Sequence, residues 1–243
     1  MGTVLGQTNQ EEQVEKPARQ KPAKNLYEPY STPRIAWELV RFCFLLICFI
    51  TMRVRVRGRY NLPHKGPYII AANHLSWLDV PLVPAFVPEK VIFMAKEEAF
   101  HGKIGWIVRF LGAFPVRRGE GDRQALRAAD KLLKQQKVFM IFPEGTRSKT
   151  HTMARGQSGV SMIALRAGVP IVPAAVWGSE NALKKFAAPV TISFGEPFIL
   201  QPRGTKITRE DIQEGSDEVM KRIAAMLPVS YRGVYGEQAE NLP

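Results

Sequence analysis

The chain has 243 residues, 45% of them hydrophobic and 23% charged, which is the composition of a globular protein and excludes a wholly disordered chain. Its formal net charge of +12 fits three kinds of partner: nucleic acid, a membrane of anionic lipid, or a phosphorylated small substrate. The two cysteines, Cys43 and Cys48, lie in an apolar run and are too few for a cysteine zinc cluster. The sequence gives no sign of a fold framed by disulfides, so a reducing compartment is favoured.

Residues 1–34 are predicted to form a disordered tail. The stretch 6–24 is rich in Gln, Glu, Lys and Pro and has almost no large apolar side chains. Such a segment cannot bury enough surface to offset the entropy of its chain.

Residues 35–59 combine an apolar helix with a run of arginines. The uninterrupted apolar part, Phe42–Ile50, has only nine residues, whereas a simple membrane-spanning helix needs about 20. Arginines follow at positions 53, 55, 57 and 59, as expected for contact with anionic headgroups on the cytoplasmic side. The pattern predicts a monotopic anchor that enters one leaflet. The alternative is a helix packed on the domain's own core, with the arginines on an exposed strand face.

Residues 60–243 are predicted to form one α/β domain. Short apolar runs predict buried strands at Tyr68–Ala72, Val91–Ala95, Val138–Phe142, Pro170–Val176 and Val190–Phe194. Helical periodicity is clearest over Gly121–Gln136, Gly159–Ala167 and Arg209–Leu227. Alternating strands and helices predict a largely parallel sheet that helices cover on both faces.

The segment Asn73–Asp79 (NHLSWLD) carries the strongest chemical signal. It follows the apolar strand Tyr68–Ala72, and ligands of α/β sheets bind beyond the carboxyl ends of strands. His74 can take a proton from a hydroxyl, and Asp79 can hold the other ring nitrogen. The two meet only if the chain turns between them, for example with Asp79 in the first turn of a helix. The alternative is a loop histidine that only packs or caps.

Three further segments add polar groups at strand ends. The turn Phe142–Ser148 (FPEGTRS) offers Glu144 to a substrate hydroxyl, and Thr146 and Arg147 to a phosphate. The segment Gly112–Arg118 (GAFPVRR) ends in two arginines that suit a phosphate. The fourth segment of interest, Ile171–Gly178 (IVPAAVWG), is an apolar strand that Pro173 interrupts, which predicts an edge, a bulge or a functional bend. Taken alone, Phe142–Ser148 could be an ordinary polar turn, and the two arginines of Gly112–Arg118 could be a solvated basic pair.

In this order and at these distances the four segments resemble the phospholipid/glycerol acyltransferase family, and most closely its bacterial 1-acyl-glycerol-3-phosphate acyltransferases. The resemblance covers about residues 60–200. It implies that His74 and Asp79 are the catalytic pair and that Arg117 binds the acceptor's phosphate. It also implies an acceptor-binding turn made of Glu144, Gly145, Thr146 and Arg147, and a structural role for Pro173.

The implied reaction moves an acyl group from acyl-CoA or acyl-carrier protein to the free hydroxyl of lysophosphatidic acid, at the cytoplasmic face of the membrane. Membrane lipid is then a partner, and neither a metal nor another cofactor is needed. The chain has no Gly-x-Ser-x-Gly nucleophile elbow and no cysteine near the site. We therefore expect direct attack by the acceptor hydroxyl, without a covalent acyl-enzyme.

Two departures bear on the acceptor. Many members carry an aromatic–basic–basic–Gly pattern after the third segment, where this chain has Met153-Ala154-Arg155-Gly156. Arg155 and Gly156 keep the basic–Gly part, but the aromatic position is not matched. Arg118, beside Arg117, could share the phosphate contact.

Two other functions compete with this reaction. The acceptor could be another lysophospholipid, a glycolipid or an ornithine lipid. The chain could also be a non-catalytic protein that binds membrane or nucleic acid. Nucleic acid is disfavoured because the basic residues are not interleaved with stacking aromatics and no known motif is present.

Overall fold

The computed structural model of the protein describes residues 32–102, 105–116 and 123–236. The α-helices in these ranges are α1 (Arg34–Thr51), α2 (Asp79–Ala85), α3 (Gly105–Phe110), α4 (Arg123–Lys134), α5 (Gly159–Ala167) and α6 (Arg209–Met226). The strands are β1 (Met52–Arg57), β2 (Tyr68–Ala72), β3 (Val91–Lys96), β4 (Ala113–Val116), β5 (Val138–Ile141), β6 (Ile171–Trp177) and β7 (Ala188–Phe194).

The strands form one seven-stranded sheet in the order β1-β7-β6-β2-β5-β3-β4. Neighbouring strands are parallel except β6 and β7, which are antiparallel. The prediction of an α/β fold with a largely parallel sheet is confirmed. The strands β2 to β6 run the same way, so their carboxyl ends meet at one side, called here the C-terminal side of the sheet. Because β1 and β7 run the other way, they begin at that side.

Alternate residues of the strands bury an apolar layer on each face of the sheet. In β2, Tyr68, Ile70 and Ala72 face the layer that includes residues of α1, α2 and α3, whereas Ile69 and Ala71 face α4, α5 and α6. All five are fully buried. Burial on both faces explains why the strand is a continuous apolar run rather than an alternating one.

The long helices lie close to their predicted bounds. The prediction of α5 is confirmed over its full length, and α4 and α6 end within a few residues of the predicted limits. The start of α6 is set by a capping box, in which Thr208 Oγ1 accepts from the amide of Asp211 at 3.1 Å and the Asp211 carboxylate accepts from the Thr208 amide at 2.9 Å.

The helix α1 has one buried and one exposed face. Trp37 and Cys48 are buried, and Arg41 Nε donates to the carbonyl of Ala85 at 2.8 Å, which ties α1 to α2. Burial raises the pKa of the Cys48 thiol to about 11, so this cysteine stays protonated at neutral pH. The opposite face exposes large apolar side chains at positions 35, 39, 42, 46, 47, 49 and 50.

The arginines after α1 lie on a strand of the main sheet. Arg53, Arg55 and Arg57 are exposed on β1, and the alternating Val54 and Val56 are half-buried. The basic half of the predicted 35–59 segment is therefore an edge strand paired with β7. This agrees with the alternative interpretation, in which the arginines lie on an exposed strand face. Among the described residues no helix combines the length and the apolar character needed to cross a membrane. Of the predicted tail 1–34, residues 1–31 lie outside the described ranges.

Pro173 lies opposite a bulge. Ala174 pairs with Phe194 and Ile171 with Phe198, so three steps along β6 face four steps along the returning chain. Pro173 has no amide hydrogen, and its carbonyl accepts from the amide of Gly195 at 2.8 Å inside this bulge. Because of the bulge, no carbonyl of the returning chain has to accept a hydrogen bond from an amide at position 173. Of the three predicted explanations for this proline, the bulge is the one observed.

Candidate active site

Three of the sequence-predicted segments meet on the C-terminal side of the sheet. His74 follows β2, Glu144 follows β5, and the end of β6 lies beside β2. The strand β4, which precedes the predicted phosphate ligands Arg117 and Arg118, also ends on this side at Val116. Both arginines lie outside the described residues.

The chain between His74 and Asp79 folds around a single carboxylate oxygen. Asp79 Oδ2 accepts from the amides of Leu75 and Ser76, both at 2.7 Å, and contacts His74 Nδ1 at 3.0 Å. Asp79 is fully buried and is the first residue of α2, where the helix dipole favours a negative charge. The pair therefore meets in the way the spacing requires, with the histidine on the loop and the acid in the first helical turn.

The bond to Asp79 determines which nitrogen of His74 is available for chemistry. A carboxylate accepts, so Nδ1 carries the hydrogen and Nε2 is the nitrogen able to take up a proton. The ring stacks on Phe142 with centroids 4.1 Å apart and planes 17° apart. The side chain is 9% exposed, so it is held on two sides yet still reaches solvent. Such an imidazole can act as a general base.

Asn73 locks the histidine loop to the neighbouring strand. Its side-chain amide donates to the carbonyl of Val176 at 2.8 Å and its oxygen accepts from the amide of Val176 at 2.7 Å. Asn73 is fully buried. Sequence reasoning assigned no role to Asn73; its signal is a polar residue directly after a buried strand, which must find partners when it is buried.

Glu144 is buried and bridges two loops of the protein. Its Oε1 accepts from the amide of His74 at 2.9 Å and its Oε2 from the amide of Ala154 at 2.9 Å. Burial raises the pKa of this carboxyl, and the two amide bonds counteract part of that rise. Each oxygen of Glu144 thus accepts one backbone amide, and the predicted contact with a substrate hydroxyl stays a prediction.

The end of the predicted acceptor turn, Thr146 and Arg147, is exposed, whereas Gly145 is half-buried. Gly145 has a positive φ of 68° and its amide donates to the carbonyl of Phe142 at 2.9 Å, which closes the turn. Thr146 and Arg147 lie on the surface of this turn. The Arg147 guanidinium lies 4.8 Å from the ring centroid of the exposed Trp77, so Arg147 reaches the histidine loop.

The segment 153–157 places Arg155 beside the same site. Arg155 is exposed, while the preceding amide of Ala154 binds Glu144. Met153 is 1% exposed and packs in the core layer. Met153, which stands where the family pattern has an aromatic residue, is therefore a core residue. The chain differs from the family pattern at a position that faces the core.

Residues 229–236 bind the backbone of the segment 153–157. The carbonyl of Tyr231 accepts from the amide of Met153 at 2.9 Å, and Tyr235 Oη accepts from the amide of Gly156 at 3.1 Å. We call residues 229–236 the C-terminal clasp. Sequence reasoning missed it, because nothing local links these tyrosines to a turn about 80 residues earlier.

An apolar groove of about 360 Å³ adjoins the site. One wall is α1, with Phe44 and Ile47, and the other is the chain before β7, with Leu183 and Phe186. Leu78, the residue before Asp79, also lines it. The groove therefore reaches the base of the histidine loop.

The chain matches the family described as Acyltransferase over residues 53–177. It is 33% identical, over 148 residues, to the 1-acyl-sn-glycerol-3-phosphate acyltransferase of Bacillus subtilis, covering 60% of this chain and 73% of that one. It is 31% identical, over 156 residues, to the lyso-ornithine lipid O-acyltransferase of Pseudomonas aeruginosa, covering 63% of this chain and 57% of that one.

A solved structure is also similar. The crystal structure of the 1-acyl-sn-glycerophosphate (LPA) acyltransferase PlsC from Thermotoga maritima superposes with a TM-score of 0.61 and 29% identity. The superposition covers 79% of this chain and 80% of that chain.

Proposed function

This chain belongs to the acyltransferase family, and we propose that it moves an acyl group from acyl-CoA or acyl-carrier protein to the free hydroxyl of 1-acyl-glycerol-3-phosphate, making phosphatidic acid. The observation that carries the proposal is the 3.0 Å contact between His74 Nδ1 and the buried Asp79 carboxylate. That contact leaves His74 Nε2 as the nitrogen that can take up a hydroxyl proton. Acceptor identity is supported by the relatives from Bacillus subtilis and Thermotoga maritima.

In the proposed mechanism, His74 Nε2 takes the proton of the acceptor hydroxyl as that oxygen attacks the thioester carbonyl carbon. Asp79 stabilises the imidazolium that forms. When the tetrahedral intermediate collapses, the C–S bond breaks, and the departing thiolate takes the proton back from His74. The ester bond replaces the thioester bond, and the proposed steps need neither a metal nor another cofactor.

Arginines near His74 support a phosphate-bearing acceptor. Arg147 reaches Trp77 on the histidine loop, and Arg155 follows the residue that binds Glu144. A guanidinium forms charge-assisted, often bidentate bonds to phosphate. Binding the phosphate away from the reacting atoms would orient the hydroxyl toward His74. Arg117 and Arg118, which follow β4 in the sequence, are proposed to add to this charge.

We further propose that the enzyme works at the cytoplasmic face of the membrane, with α1 lying on one leaflet. The exposed face of α1 carries large apolar side chains that water solvates poorly. A helix with one packed face and one exposed apolar face suits insertion parallel to the membrane plane.

An acceptor panel tests the proposed reaction. Purified protein would receive acyl-CoA or acyl-carrier protein with lysophosphatidic acid, lysophosphatidylcholine or a lyso-ornithine lipid, and products would be measured by mass spectrometry. We expect kcat/KM for lysophosphatidic acid to exceed that for the phosphate-free acceptor by about tenfold or more, since charge-assisted bonds to phosphate are lost. Equal or greater turnover of the lyso-ornithine lipid would favour the alternative acceptor that the Pseudomonas aeruginosa relative suggests.

Arginine variants sharpen the same assay. Arg147→Gln and Arg155→Gln should each lower kcat/KM for lysophosphatidic acid about tenfold and narrow the preference over the phosphate-free acceptor. Arg166→Gln, an exposed arginine of α5, is the matched control. If both site variants kept the wild-type preference, the two arginines would not bind the phosphate.

A further inference from the structure

The loop before β7 exposes apolar and basic side chains in direct succession. Leu183 is 79% exposed and Phe186 is 75% exposed, and Lys184 and Lys185 between them are exposed as well. When large exposed apolar side chains form a contiguous patch with a polar rim, the patch marks a surface that contacts a protein, a ligand or a membrane. We call residues 182–186 the apolar–basic loop.

The base of this loop is tied to the end of α1. The amide of Ala187 donates to the carbonyl of Thr51 at 2.8 Å, and Arg53 Nε donates to the carbonyl of Ala187 at 3.0 Å. Ala182, at the other end of the loop, is buried. The loop tip is therefore held at a defined position beside the last turn of α1.

The apolar surfaces of the loop and of α1 are continuous. Leu183 and Phe186 line the same groove as Phe44 and Ile47 of α1. Ile47 and Ile50, near the end of α1, are exposed like the loop residues. One apolar surface thus extends across two elements that are about 135 residues apart in sequence.

This surface lies on the same side of the sheet as His74. The strand β7 runs antiparallel to β6, so it begins where β6 ends, on the C-terminal side. Leu78, one residue before Asp79, lines the groove between α1 and the loop. Whatever covers the loop therefore adjoins the histidine loop.

We propose that the apolar–basic loop is a second membrane contact, with Leu183 and Phe186 among the acyl chains of a leaflet and Lys184 and Lys185 on the phosphates of anionic lipids. The proposal rests on the membrane location proposed above and adds to it the element that works with α1. Apolar residues flanked by lysines fit an anionic lipid surface, which accepts both kinds of side chain at once. The net charge of +12 is compatible with this partner.

Two contacts orient a protein on a membrane better than one helix does. A single helix that lies in the leaflet restrains tilting of the domain about the helix axis less than two separate contacts do, because α1 and the loop together define a plane. The groove and the histidine loop lie beside that plane, so lipid substrates would enter the site without leaving the membrane.

Paired variants and matched controls test the contact. Leu183→Ser with Phe186→Ser removes the apolar part, and Lys184→Gln with Lys185→Gln removes the charge. Ile199→Ser is the apolar control, because Ile199 is 52% exposed and follows Phe198, which pairs with the start of β6 on the opposite side. Lys65→Gln with Lys137→Gln is the charge control, because both lysines are exposed and precede β2 and β5 on that opposite side.

Binding would be measured by co-sedimentation of the full chain with vesicles of phosphatidylcholine alone or mixed with phosphatidylglycerol. The apolar pair should weaken binding to the mixed vesicles about tenfold or more, from the lost burial of two large side chains. The lysine pair should weaken binding to mixed vesicles about tenfold and leave binding to phosphatidylcholine unchanged. Both controls should bind like the wild type, and all variants should keep the wild-type thermal midpoint.

Each other outcome has a distinct meaning. Wild-type binding by the apolar pair would overturn the second contact while leaving α1 as the anchor. A raised KM for the acyl donor in the lysine pair, with unchanged vesicle binding, would assign the lysines to the donor and overturn the proposal. If the wild type bound neither kind of vesicle, the membrane location itself would be wrong.

Discussion

His74 and Asp79 depend on a turn that one carboxylate oxygen organises. Five positions apart on a regular helix, the two side chains would point in different directions. Here the amides of Leu75 and Ser76 bind Asp79 Oδ2, which curls the chain and brings Nδ1 to the same oxygen. The carboxylate therefore shapes the loop and holds the imidazole at once.

Replacing His74 tests the base directly. His74→Ala should lower kcat by about 10²- to 10⁴-fold, because the general base is lost, while the KM of the acceptor changes little. Initial rates and the thermal midpoint are the measurements. His64→Ala, at an exposed histidine, is the control and should behave like the wild type. A His74→Ala enzyme with near-normal kcat would contradict the proposed mechanism.

Among elements, the segment 153–157 depends on contacts from both sides. Glu144 holds the amide of Ala154, the clasp holds the amides of Met153 and Gly156, and Ser216 Oγ of α6 donates to the carbonyl of Gln157 at 3.0 Å. These bonds leave Arg155 as the charged side chain that the segment presents outward. The clasp is thus positioned to control where Arg155 lies.

Tyr235→Phe tests the clasp. The change leaves the amide of Gly156 without its acceptor but keeps the ring in the core layer. We expect the KM of the acceptor to rise about fivefold, with a smaller change in kcat and a stability cost of about 1 kcal/mol.

Tyr231→Phe is the matched control for Tyr235→Phe. It loses the bond from Tyr231 Oη to Glu180 at 2.8 Å, whereas its carbonyl still binds Met153. It should cost similar stability without changing the KM of the acceptor. Equal effects of the two variants on that KM would make the clasp only a stabilising element.

At the scale of the whole molecule, the buried Glu144 links stability to pH. Burial raises its pKa in the folded protein, so the folded state holds this proton more tightly than the unfolded chain does. Between the unfolded and the raised folded pKa, stability must therefore fall as pH rises.

Comparison with Glu144→Gln isolates this dependence. The free energy of unfolding of the wild type minus that of the variant should decrease as pH rises from about 4 toward neutrality, measured by urea unfolding at each pH. The variant should also lose kcat, since one glutamine oxygen cannot accept from the amides of both His74 and Ala154 at their present positions. A difference that grows with pH would show that the amide bonds, not burial, dominate.

Much of this fold and site follows from local patterns. The apolar strand Tyr68–Ala72, the helix Gly159–Ala167 and the polar segment that begins at His74 are each visible in the sequence, because burial on both faces and helical periodicity leave local signals. The strand β1 is the counterexample: its arginines indicate a membrane surface as readily as an exposed strand face. Only its pairing with β7 decides that these residues belong to the sheet.

The sequence by itself determined the α/β class, predicted the candidate site residues, and marked Pro173 as part of an edge, a bulge or a bend. Tertiary structure alone decided that Glu144 joins the amides of His74 and Ala154, that the clasp reaches Gly156, and that the loop at 182–186 lies beside α1. These contacts join residues about 10 to 135 positions apart in the chain. Periodicity and turn chemistry act over a few residues, whereas the order and direction of strands in a sheet bring distant groups together.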